Sequence, residues 1–395
     1  MKIIIEKSVA HGSVGVPPSK SFSHRALICA ALSGGESVIR NISVCDDVLK
    51  TADCLCKLGA SVKIENRTAT VKGIENDDIK KAALLDCGDS ASTFRFLLPV
   101  AAVLNADAEF SGSKRLFERV RASAVNFLAE NGCACICGEN SIKLNGGFTE
   151  NNIVVDCSES SQLLSGVLMA LPLADCTAAV GGTLKSAPYI DMTVQTLKAF
   201  GVAIAAEGVY SARGGYAACE YTVENDWSSG AFVYALAARG DAEINGLNSN
   251  SVQGDSVCAD IINGIVCGKI HCADVTDTPD LFPVLAAVAA LNGGCTFTGT
   301  YGLHNKESDR IRSVAQEFAK FGVSVTETGN SVTVGGGAAK PQAELCAHGD
   351  HRIVMALTVL CAALGGTVNG AECAAKSLPE YFEILDSLNI KYRRC

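Results

Sequence analysis

The sequence predicts a mixed α/β (α+β) fold in two domains, and three observations carry that expectation. The chain has 395 residues, more than one hydrophobic core usually serves. A polar cluster that opens an apolar helix recurs six times along it. Between those helices a second, amphipathic helix recurs, stopped by Gly or Asn and followed by a strand pattern. A unit of roughly 65 residues is too long for the common solenoids, whose periods run from about 20 to 50. Six such units suit two domains of three units each.

The first cluster is Pro17-Pro18-Ser19-Lys20-Ser21-Phe22-Ser23-His24-Arg25, which runs into Ala26-Leu27-Ile28-Cys29-Ala30-Ala31-Leu32. The prolines forbid helix before this point and prepare one after it. Ser19 is the expected N-cap. Lys20 and Arg25 then sit where the helix dipole is already positive. With hydroxyls and unpaired N–H groups around them they make an anion site. A single lysine at a capped, solvated helix start would carry no such weight. Here the helix is apolar on all sides and must be buried. His24, between the two cations, is expected at the surface.

The other five clusters are Cys87-Gly88-Asp89-Ser90-Ala91-Ser92-Thr93-Phe94-Arg95, Ser158-Glu159-Ser160-Ser161-Gln162, Asp226-Trp227-Ser228-Ser229, Asp277-Thr278-Pro279-Asp280 and His348-Gly349-Asp350-His351-Arg352. Lys20, Asp89, Ser160, Trp227, Thr278 and Asp350 are spaced by 69, 71, 67, 51 and 72 residues. Helix stops are expected at Gly59, Gly132, Gly201, Gly322 and Asn389, the last because Asn tolerates the left-handed conformation. The fourth unit is short. Only 16 residues separate Gly264 from Asp280, against 30 from Gly59 to Asp89, so a hairpin is expected to be missing. Trp227 is expected in the core.

Composition narrows the function. Apolar residues make up 48% and charged residues 19%, with a net charge of −9. A nucleic-acid binder would usually be basic. No stretch approaches the 18 apolar residues of a membrane span, and the opening apolar run is too short for a signal peptide. The 19 cysteines are scattered through apolar segments. Their one cluster, Cys133-Ala134-Cys135-Ile136-Cys137, alternates like a strand and lacks the paired spacing of a zinc site. They read as reduced, small apolar side chains in a cytoplasmic protein.

Taken together, Pro18-Ser19-Lys20-Ser21-x-Ser23-x-Arg25, Gly88-Asp89-Ser90-Ala91-Ser92-Thr93-x-Arg95, Ser160-Ser161-Gln162, Lys306-Glu307-Ser308-Asp309-Arg310 and Asp350-His351-Arg352 resemble, in this order, the 5-enolpyruvylshikimate-3-phosphate (EPSP) synthase family. The similarity runs nearly end to end. It implies two domains of three βαβαββ-type units in pseudo-threefold arrangement, with the active site in the cleft between them. Residues 19–223 would form one domain, and 1–18 with 224–395 the other. The implied reaction moves the enolpyruvyl group of phosphoenolpyruvate to the 5-hydroxyl of shikimate 3-phosphate and releases phosphate, on the pathway to chorismate and the aromatic amino acids.

By the same resemblance, Lys20, Ser21, Arg25, Ser160, Ser161, Ser186, Tyr189, Asp280 and Lys306 hold shikimate 3-phosphate. Lys20, Ala91, Arg119, Gln162, Arg310, Arg352 and Lys376 hold phosphoenolpyruvate. Asp280, Glu307 and Lys20 are the implied catalytic residues: Glu307 protonates the methylene carbon, Asp280 takes the hydroxyl proton, and Lys20 meets charge on the tetrahedral intermediate. Bidentate Arg and point-charge Lys suit two substrates that each carry phosphate and carboxylate. No metal or other cofactor, no nucleic-acid or membrane partner and a monomeric state are expected.

Each motif alone has a plainer reading. Lys306-Glu307-Ser308-Asp309-Arg310 would pass for a charged, capped helix start, Asp350-His351-Arg352 for a polar turn, and Ser160-Ser161-Gln162 for nothing in particular. Their order and phase in the repeat raise the joint reading above these. Departures from the family pattern are Ala91 where Gly is usual, Val120 where Pro follows Arg119, and His304-Asn305 ahead of Lys306. Ala91 bears on the response to glyphosate, which occupies the phosphoenolpyruvate site in enzymes the chain resembles. The nearest alternative is the sister transferase acting on a UDP-amino sugar, which uses a catalytic Cys loop and lacks the Lys20-Ser21-x-Ser23-x-Arg25 pattern. An inactive phosphate-binding relative would be expected to have lost Glu307, Asp280 or Lys376, and all three are present.

Overall fold

The computed structural model describes residues 1–75 and 83–395. The chain forms two compact units, a continuous one over Pro18–Glu224 and a discontinuous one joining Met1–Pro17 to Asn225–Cys395. Each has its own hydrophobic core.

The chain begins with β1 (Lys2–Ile5) and β2 (Ser13–Gly15) and then enters the continuous unit. The first repeat there is α1 (Lys20–Ala31), β3 (Glu36–Arg40), α2 (Asp46–Leu58), β4 (Ser61–Glu65) and β5 (Thr68–Lys72). The second is β6 (Leu84–Asp86), α3 (Ala91–Val103), β7 (Glu109–Ser111), α4 (Lys114–Glu130), β8 (Ala134–Cys137) and β9 (Ser141–Asn145). The third is β10 (Asn152–Asp156), α5 (Gln162–Ala170), β11 (Thr177–Gly181), α6 (Pro188–Ala199), β12 (Ala203–Ala206) and β13 (Tyr210–Arg213), followed by β14 (Glu220–Thr222).

The discontinuous unit resumes with α7 (Trp227–Ala237), β15 (Glu243–Asn245) and α8 (Cys258–Val266). Its next repeat is β16 (Cys272–Asp274), α9 (Phe282–Leu291), β17 (Cys295–Thr298), α10 (Arg310–Ala319), β18 (Val325–Thr328) and β19 (Ser331–Val334). The last is β20 (Leu345–Cys346), α11 (His351–Leu364), β21 (Gly366–Asn369), α12 (Tyr381–Ser387) and β22 (Tyr392–Arg394).

One sheet pattern recurs. In the orders β6-β7-β9-β8, β10-β11-β13-β12 and β16-β17-β19-β18, a leading strand pairs parallel with the strand beyond the buried helix, and an antiparallel hairpin completes the sheet. Parallel neighbours need a crossover, which the buried helix supplies. The remaining sheets borrow strands from elsewhere in the chain. β14 leads the first sheet beside β3, β2 leads the fourth beside β15, and β1 stands between β21 and β22 in the sixth.

The six apolar helices are α1, α3, α5, α7, α9 and α11, and they are buried along most of their length. The amphipathic ones stop as the sequence suggests, with left-handed Gly59, Gly132, Gly201, Gly322 and Asn389. Among the described residues the fourth unit lacks a hairpin, and β15 pairs only with β2. Gly264 is not its helix stop, however. α8 runs past it to Val266, and the left-handed glycine is Gly268. The Cys133–Cys137 cluster contributes β8, and all 19 cysteines are free thiols.

Candidate active site

In the continuous unit most of the expected residues lie at the N-terminal ends of α1, α3, α5 and α6, and Arg119 lies within α4. Ser19 caps α1 by accepting the Phe22 N–H at 3.5 Å. Lys20 opens the helix and pairs with Asp47 at 3.0 Å, both side chains about one-sixth exposed. Arg25, one turn on, is buried. It donates from Nε to Thr193 Oγ1 (2.8 Å), from Nη1 to the Ser21 carbonyl (2.8 Å), and from Nη2 to Ser165 Oγ (3.3 Å) and the Tyr189 carbonyl (2.9 Å). Those bonds use four of the five N–H groups of a guanidinium. Arg25 therefore acts mainly by fixing Ser21 and α6 and by its charge. Burial pulls its pKa down to about 10, partly offset by Tyr189 and Cys29.

His24 corrects an expectation. It is wholly buried, with Nδ1 bonded to Thr51 Oγ1 at 2.7 Å and its ring edge-on to Phe96. Burial first, then Lys20 and Arg25, lowers its pKa well below the usual imidazole value. It is thus a neutral core histidine. The burial of α1 begins at Phe22, a turn earlier than the apolar run suggests.

Ala91 is the first residue of α3 and is 6% exposed; Ser90 caps the helix by accepting the Thr93 N–H at 3.1 Å. Ser160 Oγ accepts the Gln162 N–H at 3.3 Å, and Ser161 Oγ donates to the carbonyl of Ser186, a residue at φ 56. Arg95 joins these ends. Its Nη1 donates to Gln162 Oε1 at 2.9 Å and its Nη2 to the Arg119 carbonyl at 3.2 Å. Because a guanidinium only donates, it fixes which end of the Gln162 amide faces it. The amide nitrogen then donates to Ser92 Oγ at 3.0 Å. Arg119 itself lies in mid-α4, 7% exposed. With Val120 following it, α4 runs unbroken from Lys114 to Glu130.

In the discontinuous unit the centre is Arg310, the first residue of α10, whose side chain is 1% exposed. It pairs with Asp280 (2.7 Å), Glu307 (3.0 Å) and Asp350 (3.1 Å). Asp280 also faces Lys306 at 3.5 Å and Arg352 at 3.7 Å. Burial raises the Asp280 pKa, but Lys306, Arg310 and Arg352 outweigh it and hold the carboxyl well below the usual carboxylate range. For Asp350, likewise, burial opposes and Arg310 prevails. Asp350 caps α11 by accepting the Arg352 N–H at 2.8 Å and also takes the Ser308 hydroxyl at 3.0 Å. Asp309 caps α10, so the plain reading of that motif as a capped helix start holds. Lys376 donates to the Gly349 carbonyl at 3.3 Å.

One helix end differs. At α7 the first N–H groups are already taken, that of Trp227 by Gln253 Oε1 and that of Ser229 by Asp226. Asp255 closes the end by accepting the Ser228 hydroxyl. Trp227 is core, as expected, with its ring N–H on the Asn248 carbonyl.

Asp47, Asp255 and the bridging role of Arg95 are not evident from sequence alone. Arg95 stands in the recognised motif, and acceptors 24 and 67 residues away reveal its bridging role. Among the described residues no group of His, Cys, Asp and Glu side chains is arranged to hold a metal ion. No helix among them is long and apolar enough to cross a membrane.

Residues 5–385 match the family of EPSP synthase (3-phosphoshikimate 1-carboxyvinyltransferase). This chain belongs to the EPSP synthase family. A curated family member, the 3-phosphoshikimate 1-carboxyvinyltransferase of Clostridium perfringens (strain SM101 / Type A), is 33% identical over 417 residues, covering 98% of each chain. That of Methanocorpusculum labreanum is 32% identical and covers all of both. A solved EPSP synthase structure from Acinetobacter baumannii superposes with a TM-score of 0.78 over 99% of each chain. At 21% identity that likeness speaks for the EPSP synthase fold alone.

Proposed function

We propose that this chain transfers the enolpyruvyl group of phosphoenolpyruvate to the 5-hydroxyl of shikimate 3-phosphate, giving 5-enolpyruvylshikimate 3-phosphate and phosphate. The observation that carries the chemistry is the set around Arg310. Two carboxylates, Asp280 and Glu307, are held there by cations that an incoming anion would compete for.

That competition supplies the proton logic. With Lys306, Arg310 and Arg352 around it, Asp280 is a poor base. A phosphate or carboxylate that engages those cations weakens their hold, and the proton affinity of Asp280 rises towards what a general base needs. The same ligand loosens Arg310 from Glu307, which can then carry a proton to the methylene carbon. Lys20, drawn from Asp47, meets negative charge on the tetrahedral intermediate. Shikimate 3-phosphate is assigned Lys20, Ser21, Arg25, Ser160, Ser161, Ser186, Tyr189, Asp280 and Lys306. Phosphoenolpyruvate is assigned Lys20, Ala91, Arg119, Gln162, Arg310, Arg352 and Lys376. The enzyme is assigned to the cytoplasm and to a monomeric state.

The test is phosphate release. The purified protein should release phosphate only when both substrates are present, and without added divalent metal. Equal turnover with a UDP-amino sugar in place of shikimate 3-phosphate would overturn the assignment. Arg352→Ala should raise the KM for phosphoenolpyruvate selectively, since truncating one partner of a desolvated ion pair costs about 2–5 kcal/mol. Similar losses for both substrates would remove Arg352 from its subsite.

A further inference from the structure

We propose that Glu317 is a positioning residue for phosphoenolpyruvate, acting through the loop that leads into Arg352 and contacts Lys376. The inference rests on the assignment of those two cations to phosphoenolpyruvate. Glu317 lies in α10, the helix that Arg310 opens. Its residue is 2% exposed and is assigned to neither substrate, and glutamate is almost never buried without partners.

Its carboxylate gathers three donors from three segments. Oε2 accepts Lys320 Nζ at 2.8 Å and the backbone N–H of Cys346 at 2.9 Å. Oε1 meets His348 Nε2 at 2.9 Å. Lys320 also donates to the Glu344 carbonyl at 3.0 Å, so both ends of β20 are tied to α10.

Beyond β20 the loop takes two consecutive left-handed residues, His348 at φ 52 and Gly349 at φ 68. Glycine accepts that conformation freely. A histidine there costs about 1–2 kcal/mol, and its bond to the buried carboxylate holds it in place. The next residues are functional. The Gly349 carbonyl receives Lys376, and Asp350 caps α11, fixes the Arg352 N–H and takes Arg310 Nε. One carboxylate thus sets the position of the loop relative to the helix that begins with Arg310. The loop it sets leads into Arg352 and receives Lys376, both assigned to phosphoenolpyruvate, whereas Asp280 is reached only one pair further on through Arg310, so the effect should fall chiefly on phosphoenolpyruvate.

Three full-length variants test this. Glu317→Gln keeps the shape and replaces one acceptor oxygen with an amide donor. His348→Asn keeps a residue that tolerates the left-handed backbone but is too short to reach Glu317. His348→Gln retains an N–H donor of similar reach. KM for each substrate, kcat and thermal midpoint are measured for all three. The expected result for Glu317→Gln and His348→Asn is a KM for phosphoenolpyruvate raised on the order of tenfold, the scale of one charge-assisted hydrogen bond. KM for shikimate 3-phosphate should stay within about twofold, and His348→Gln should recover most of the loss.

A lower thermal midpoint with KM for phosphoenolpyruvate unchanged would make the cluster purely structural and overturn the proposal. So would a parallel rise in both KM values. If Glu317→Gln does not fold, His348→Asn decides alone. Arg352→Ala separates the two levels. A selective effect there with none at Glu317 or His348 sinks only the positioning role, whereas no selective effect at Arg352 removes the assignment and the proposal with it.

Discussion

Asp255 is 4% exposed, accepts the Ser228 hydroxyl on one oxygen, and has no partner for the other among the described residues. Burial first, and then the charge of Asp280, raises its pKa to about 7, against the pull of Ser228 and Arg352. The folded protein therefore holds a proton that the unfolded chain gives up near pH 4. The Asp255 contribution to stability should fall as pH rises from about 4 to about 7, by at most roughly 4 kcal/mol for three pKa units, while buried His24, held neutral, contributes with the opposite sign as pH rises towards the ordinary imidazole value. Asp255→Asn removes the charge and keeps an acceptor for Ser228. It should stabilise the protein by about 2 kcal/mol at pH 8 and change little at pH 5, judged from urea midpoints. Identical pH dependence in the two proteins would show that another group dominates. At this scale the sequence was legible where chemistry repeats and misleading where burial decides. Lys20 and Arg352 stand at the N-termini of buried helices and Arg310 at that of the amphipathic α10, as their motifs suggest. His24 was misplaced because two flanking cations suggest solvent, whereas the three-dimensional surroundings of α1 leave none.

At the scale of elements, α3 and α5 show how helices carrying site residues are brought together. Pro99 lies inside α3, and it cannot donate the N–H that would have satisfied the Arg95 carbonyl. α5 packs at that point with Gly166. A Cβ on Gly166 would stand 2.6 Å from the Arg95 carbonyl oxygen and 2.8 Å from that of Phe96. Both are backbone atoms and cannot swing away. Gly166→Ala should therefore push α5 off α3, costing about 1–3 kcal/mol, and separate Gln162 from Arg95. The measurable result is a lower urea midpoint together with a raised KM for phosphoenolpyruvate. An unchanged midpoint would mean that the helices slide without cost. The buried and amphipathic helices were readable from periodicity and Gly or Asn stops. The close approach of α5 to α3 was not, because nothing in Ser165-Gly166-Val167 says which backbone it will meet. Gly264 misled for the related reason that a glycine inside a helix looks like a stop until the next left-handed residue is known.

At the scale of the whole molecule, the sixfold repeat was legible from the spacing of its polar clusters, while the borrowed strands were not. β1, β2 and β14 are short, and their partners lie about 180 to 390 residues away in the register. Hydrophobic pattern alone cannot specify pairings of such range. They make the two units unequal as folding entities. Residues 18–224 contain every strand of their three sheets, including β14, and a self-contained core. Residues 225–395 lack β1, which joins β21 to β22, and β2, the strand that pairs with β15. Without β1, the strand carrying Ile3 and Ile5, both buried in that core, is absent and two sheet edges are left open. A fragment of residues 18–224 should unfold in urea as one cooperative transition, whereas 225–395 alone should show none. Restoring residues 1–17 to the second fragment should bring the transition back. A permuted chain with a short linker from Cys395 to Met1 is the direct version, since the Cys395 N–H already bonds the Lys2 carbonyl at 2.8 Å. If 225–395 folds cooperatively by itself, the N-terminal strands are accessory and the repeat closes without them.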